Sequence, residues 1–221
     1  MSRKPLYVGI DVSTAHENRK VFDFAAIGID AEGETVLRIA TVVDPGPTWW
    51  DIVARRKHGV SREDAAGKPH FHFVWMDFLD RVKRAAHSFD CRFLAEDGEY
   101  VRNAIWCDLG AGALRIEIEC ILDLAERLLP GLSAPTLDPV ADALGLAIPD
   151  RHRAIADATA IAELARLLDL RGPAAVKPAS VYLTPSASPP AGGWLGPIAT
   201  PVAEPGPGPS RRQHRETHRR S

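Results

Sequence analysis

Residues 6–43 read LYVGIDVSTAHENRKVFDFAAIGIDAEGETVLRIATVV, and this stretch decides the architecture. Leu6–Val12 is a short apolar run, interrupted by Asp11. Val21–Ile29 alternates in part and is rich in branched and aromatic residues, as strands are. Glu34–Val43 follows a turn, Asp30-Ala31-Glu32-Gly33, with glycine where a hairpin needs it. Three antiparallel strands are therefore expected first. Residues 44–69 hold Pro45, Pro47, Gly59, Gly67 and Pro69 and read as a long irregular connection with a single helical turn. Phe71, Val74, Phe78, Leu79 and Val82 recur at helical spacing. Ala85–His87 reads as a short strand and residues 91–104 as a helix. Further helices are expected over Ile121–Leu128, stopped by Pro130-Gly131, over Leu137–Leu144, and over Ala154–Leu168. Strands followed by helices indicate an α/β fold, a mixed β-sheet flanked by helices.

The rest of the chain divides by composition. Ten of the 18 prolines lie in residues 171–221, which also end in RRQHRETHRR. Such a segment buries too little apolar surface to offset chain entropy, so a disordered tail is expected after a domain spanning 1–170. The tail carries seven Lys/Arg against two Glu, a charge of +5, which leaves the body at −7 out of a net −2. An acidic body repels nucleic acid unless cations offset it, so a carboxylate site with divalent metal is compatible with this charge. Cys91, Cys107 and Cys120 are odd in number and lack metal-type spacing; they read as reduced thiols. The basic start MSRKPLYVGIDV lacks the apolar core of a signal peptide, and no stretch is long enough to span a bilayer. A cytoplasmic protein with no membrane partner is the expectation.

Three constellations could carry chemistry. Asp11 sits at the end of the opening strand, as a turn residue or a metal ligand. Asp90 closes His87-Ser88-Phe89-Asp90, as a helix cap or an outward-facing acid. His152 and Asp157 stand in an H-x4-D spacing that opens an amphipathic helix, with Asp157 near the buried face, where a carboxylate needs a cation or several donors. Three acids at the ends of separate elements, with a histidine, suit a two-metal phosphodiesterase. Hard oxygen ligands hold Mg²⁺ or Mn²⁺, and a histidine takes a proton from the attacking water. Lesser features are Trp49-Trp50, which could stack on bases, and the basic run Arg55-Arg56-Lys57. His70 and His72 lack partners at zinc spacing.

From about Leu6 to Leu170 the chain resembles the DnaQ-like exonucleases of the DEDDh type, the family of bacterial proofreading epsilon subunits. GIDVST resembles the first motif, usually D-x-E-T. KHGVSREDAAGKP resembles the family's His-Gly loop, and AAHSFDCRFL the second motif, usually A-H-N-x-x-F-D. LDLAERLLPGLSAPTLDPVADALGL followed by HRAIADATAIAELARLL is similar to the helix pair and third motif, the most specific of these signals. The resemblance implies an RNase H-like fold and a 3′–5′ exonuclease with two Mg²⁺ or Mn²⁺ ions. It makes Asp11 the ligand of both metals, Asp90 a ligand of the second, Asp157 the ligand on the nucleophile side, and His152 the general base. Ser13, Thr14 and His58 fall on the substrate side. The implied substrate is a single-stranded 3′ end, DNA before RNA, in proofreading or repair, with a DNA polymerase subunit as a possible partner of the tail.

Two departures weigh on activity. Ser13 stands where the first motif has Glu, and a short neutral hydroxyl cannot replace that charge, whether or not His16 or Glu17 reaches in. The second motif, read at Ala86–Asp90, is two residues short. A non-enzymatic relative that binds nucleic acid or a polymerase is therefore the alternative expectation. VGIDVST also resembles the first strand of sugar kinases and actin-like ATPases, but no second Gly-rich phosphate loop follows.

Overall fold

A computed structural model of the chain describes residues 3–15, 20–47, 56–110, 112–129, 131–132 and 136–171, with residue 171 as backbone only. The expected tail, from residue 172 onward, lies outside them, as do Trp49-Trp50, Arg55, His16 and Glu17.

The three apolar runs pair as their patterns require. β1 (Lys4–Thr14) lies between β2 (Val21–Asp30), antiparallel to it, and β4 (Phe89–Ala95), parallel to it. β3 (Thr35–Val42) pairs antiparallel with β2, and β5 (Ile118–Cys120) parallel with β4, giving the order β3-β2-β1-β4-β5. Asp30 closes the β2–β3 turn by accepting from the backbone N–H groups of Glu32 and Glu34. β2 is buried at nine consecutive positions, so its partial alternation reflects cover on both faces rather than one.

Helices provide that cover. The described helices are α1 (Arg62–Ala65), α2 (Phe71–Ala85), α3 (Gly98–Leu109), α4 (Ile121–Leu128), α5 (Leu137–Leu144) and α6 (Ala154–Arg171). One face of the sheet carries Leu6, Val8, Ile10, Phe24 and Phe93 against Phe71, Trp75 and Phe78 of α2 and Val101 and Ile105 of α3. Aromatic rings meet there at 5.0–6.3 Å between centroids, in tilted and edge contacts. The other face carries α6 along β1 and β2, with α4 and α5 outside it. The result is the mixed α/β sheet flanked by helices that the sequence implies, with the RNase H-like strand order.

Two expectations fail in the middle of the chain. Ala85–His87 is not a strand: α2 runs through Ala85 and residues 86–88 turn. Residues 91–104 are not one helix: β4 occupies Phe89–Ala95 and α3 starts at Gly98. β4 is inside the sheet with both faces covered, so it lacks the simple alternation that marks a strand with one wet face. Its one charged inner residue, Arg92, is neutralised by a two-pronged contact with Glu119 on β5, at 2.9 and 3.2 Å.

Candidate active site

Side chains alternate along β1, so Tyr7, Gly9, Asp11 and Ser13 share the face that α6 covers. Gly9 sets the distance between the two elements. A Cβ there would lie 2.1 Å from the Ala158 carbonyl oxygen and 2.7 Å from the Ala162 nitrogen. The hydrogen of glycine lets the helix backbone touch the strand, with small residues on the facing turns. Asp11 is two positions further along the same face, and Asp157 precedes Ala158. The close approach therefore brings the two acids together.

Their proximity shows in the ionisation of Asp11. Its carboxyl is pushed well above the usual range, first by removal from water, then by the negative charges of Asp157, Glu96 and Asp23; Arg151 opposes them. Asp157 is buried. Asp11 and Asp157, two of the acids the sequence picks out, do converge.

Asp90 does not. The β1–β4 register sets Asp90 beside Pro5, at the opposite end of the strand pair from Asp11. Six residues of strand separate Pro5 from Asp11, about 20 Å at ~3.3 Å per residue. No shared metal can bridge that span, so Asp90 is not a member of the site. The same register carries β4 onward, past the Gly9–Leu94 pair, to place Glu96 level with Asp11. The acid at this point is thus Glu96. Set against A-H-N-x-x-F-D, the segment following β4 reads Ala95-Glu96-Asp97-Gly98-Glu99-Tyr100-Val101. It needs no shortening, and it ends in Val101, which is buried in the aromatic core.

Arg151 lies among these acids. One terminal nitrogen is 2.5 Å from Asp157, the other is 3.8 Å from Glu96, and Nε is 2.7 Å from Asp138, off the line of a hydrogen bond. Burial works against its charge, but the hydrogen bond and charge of Asp157, then Glu96 and Asp138, outweigh it and hold the guanidinium more firmly protonated. The sequence reading missed Arg151, Glu96, Asp138 and Asp23. Asp23 alone left a plain signal, an acid inside the apolar run VFDFAAIGI. It is buried opposite Ser13, accepts from the Ala154 N–H at 3.3 Å at the start of α6, and lies 3.5 Å from Arg153. Burial raises its pKa, against the opposing effects of Ala154 and Arg153.

The loop before α6 is tied down by its own side chains. His152 takes a positive φ of 70° and Asp150 one of 54°, conformations that non-glycine residues adopt at a cost. The His152 N–H donates to the Asp157 carboxylate at 3.2 Å, which offsets that cost. The His152 carbonyl accepts from Nδ1 of His58 at 2.7 Å, so that nitrogen carries the proton; Ser13 Oγ lies 3.1 Å from the same atom. His58 therefore joins the end of β1 to the His152 loop. Its pKa is lowered, chiefly by burial. Ser13 is buried, whereas His152 itself is exposed with its ring centroid 6.3 Å from that of His58. Thr14 Oγ1 is 2.9 Å from the Tyr100 hydroxyl and links β1 to α3.

These donors do not match a two-metal centre as they stand. Asp11 and Asp157 have the hard oxygens that Mg²⁺ or Mn²⁺ prefer. But Ser13, beside them on the same face of β1, offers only a neutral hydroxyl, and the Asp157 carboxylate is engaged by Arg151. Among the described residues, no group of three or more His, Cys, Asp or Glu side chains is arranged to hold a metal ion.

Comparison with known proteins agrees with the fold. Residues 7–165 match the family model for exonuclease (RNase_T). The chain belongs to this exonuclease family. It is similar to the DNA polymerase III subunit epsilon of Aquifex aeolicus, 28% identical over 158 residues, covering 71% of this chain and 73% of that one. Among solved structures it resembles a 3′-exonuclease that recognises the histone mRNA stem-loop, with a TM-score of 0.63, 17% identity, and coverage of 78% and 84% of the two chains. It also resembles cell-death related nuclease 4, with a TM-score of 0.61 at 14% identity; the chain covers 65% of that protein, and 77% of its own length is matched. At these identities the structural likenesses establish the fold alone. Among the described residues no helix is long and apolar enough to cross a membrane.

Proposed function

We propose that the protein receives a nucleic-acid 3′ end in the cleft at the carboxyl end of β1, and that as a 3′–5′ exonuclease-type protein it is impaired in hydrolysis. The donor set carries this reading. Asp11 and Asp157 are retained, Ser13 and Val101 replace the other two motif acids, and Asp157 is held by Arg151. Losing two of four charged ligands removes the means of binding two divalent ions, and with them the activated water and the stabilised leaving oxygen. His152 keeps its H-x4-D spacing but has no metal-bound water to deprotonate.

Membership of the exonuclease family and the likeness to a polymerase III subunit support nucleic acid as the ligand, DNA before RNA. Electrostatics supports it too. Arg38, Arg56, Lys57, Arg151 and Arg153 outnumber the acids Asp150 and Glu163 in the lining of a cavity of about 1000 Å³ that also reaches His58, so phosphates meet net positive charge there. In a proofreading or repair assembly such a protein would hold a 3′ end rather than trim it, with a polymerase subunit as a partner.

A 5′-labelled single-stranded oligonucleotide tests the proposal. We expect a rise in fluorescence anisotropy on binding, weaker competition by a circular strand, and no shortening with Mg²⁺ or Mn²⁺. Metal-dependent shortening that Asp157→Ala abolishes would overturn the impairment and establish an active exonuclease. Absence of binding would overturn the ligand.

A further inference from the structure

The mismatch between the donors and a metal centre has a positive counterpart. Arg151 is a rigid, permanently charged fork, and its three nitrogens face three carboxylates from three different elements: Asp157 in α6, Glu96 after β4 and Asp138 in α5. The same guanidinium offsets part of the negative charge around Asp11. The side chain is 18% exposed, against 7% for Asp157, 32% for Glu96 and 63% for Asp138, so the Arg151–Asp157 pair is the part withdrawn from water, where charges interact strongly. A guanidinium suits this place better than an ammonium would, since it bridges several carboxylates in a fixed geometry and tolerates partial burial.

The local backbone is built around this contact. Arg151 lies between the two positive-φ residues Asp150 and His152, and the His152 N–H shares the Asp157 carboxylate with Arg151. Glu96 also accepts from the Leu137 N–H at 3.3 Å, at the first residue of α5, so the helix that bears Asp138 is anchored to the acid that faces Arg151. The strained loop, the start of α5 and the start of α6 thus meet at one cation.

We infer that Arg151 is the resident cation of this cleft: it takes over the electrostatic task of a divalent metal, neutralising Glu96 and Asp157 beside Asp11 so that a phosphodiester can approach without metal. The ligand class rests on the function proposed above; the ion replacement does not. Two consequences follow. Binding of a 3′ end needs no divalent ion. Removing the guanidinium leaves a cluster of carboxylates that a divalent ion can then satisfy.

The experiment compares the full-length protein with Arg151→Gln and Arg151→Lys. In nucleic-acid-free buffer, Arg151→Gln should lower Tm by about 5–10 °C, the scale expected when one partner of a largely buried ion pair, here with Asp157, is lost. Arg151→Lys should lower it less. Millimolar Mn²⁺ should restore much of the loss in Arg151→Gln and leave the parent unmoved. Titration calorimetry should show Mn²⁺ binding that appears in Arg151→Gln and disappears again when Asp157→Asn is added. Asp157-dependent Mn²⁺ binding by the parent, or an Arg151→Gln protein as stable as the parent and still blind to Mn²⁺, overturns the inference. If Arg151→Gln fails to fold, Arg151→Lys and the parent's own Mn²⁺ titration decide it. With the oligonucleotide, parent binding should be unchanged by EDTA; a loss of binding in EDTA also overturns it. An oligonucleotide that binds under no condition overturns the proposed function instead, while the Mn²⁺ and Tm results still judge Arg151.

Discussion

The two ends of the β1–β4 strand pair are made from the same two strands and have opposite characters. At the amino end Asp90 pairs with Pro5. At the carboxyl end Asp11 is ringed by Asp157, Glu96 and Asp23, with Arg151 among them. The difference is topological. Parallel strands point their carboxyl ends the same way, so the chain leaving each of them, and the helix starts that follow, gather at one edge. An acid near a strand is informative only once it is known which end of the strand it occupies.

Several perturbations would sharpen or break this contrast. The largest effect is expected at Gly9, where β1 and α6 touch. Gly9→Val must push the helix backbone away from the strand, at a cost of about 3 kcal/mol, read as a lower urea midpoint. It should also separate Asp157 from Asp11. If the variant is as stable as the parent, the strand and helix are not in the contact that builds the site.

Asp157→Asn comes next. It removes the charge facing Arg151 while keeping the shape, and weakens the acceptor of the His152 N–H, for about 2 kcal/mol by urea denaturation at neutral pH. An unchanged midpoint would show that the ion pair is not formed in solution.

Asp11→Asn should act in the opposite direction. A carboxyl whose pKa is raised by folding contributes stability fully below its unfolded value, and loses it as pH rises through the folded value. At neutral pH Asp11 therefore opposes folding, and the amide should raise the urea midpoint. The gain should vanish near pH 3, where Asp11 is protonated in both states. A destabilised variant at pH 7 would mean that Arg151 outweighs burial and the neighbouring acids at Asp11, the reverse of the order of effects found there.

The smallest effect belongs to Asp90→Asn. At the remote end of the pair it should change stability by less than about 0.5 kcal/mol and leave oligonucleotide binding intact. A sizeable loss of binding would return Asp90 to the functional surface.

Much of the architecture was legible in the residues. The runs at β1, β2 and β3, the Gly33 turn, and the amphipathic helices at Ile121, Leu137 and Ala154 all carry local patterns, and local patterns survive folding. β4 was not legible, because a strand covered on both faces loses the alternation that marks it. That error moved the second motif. Asp90 drew the eye as Phe89-Asp90, while Glu96, just past the true strand, and Val101, in the helix that follows, were passed over. Arg151 was invisible for another reason: next to His152 it is an ordinary surface residue, and nothing in its neighbourhood announces carboxylates from residues 96, 138 and 157.

By itself, then, the sequence determined the fold class and the family resemblance and singled out Asp11 and Asp157, since periodicity and motif spacing are properties of short segments. Only the tertiary structure decided which third acid joins them and what cation they meet. Those are contacts between elements distant along the chain, set by strand register and by the direction in which parallel strands end.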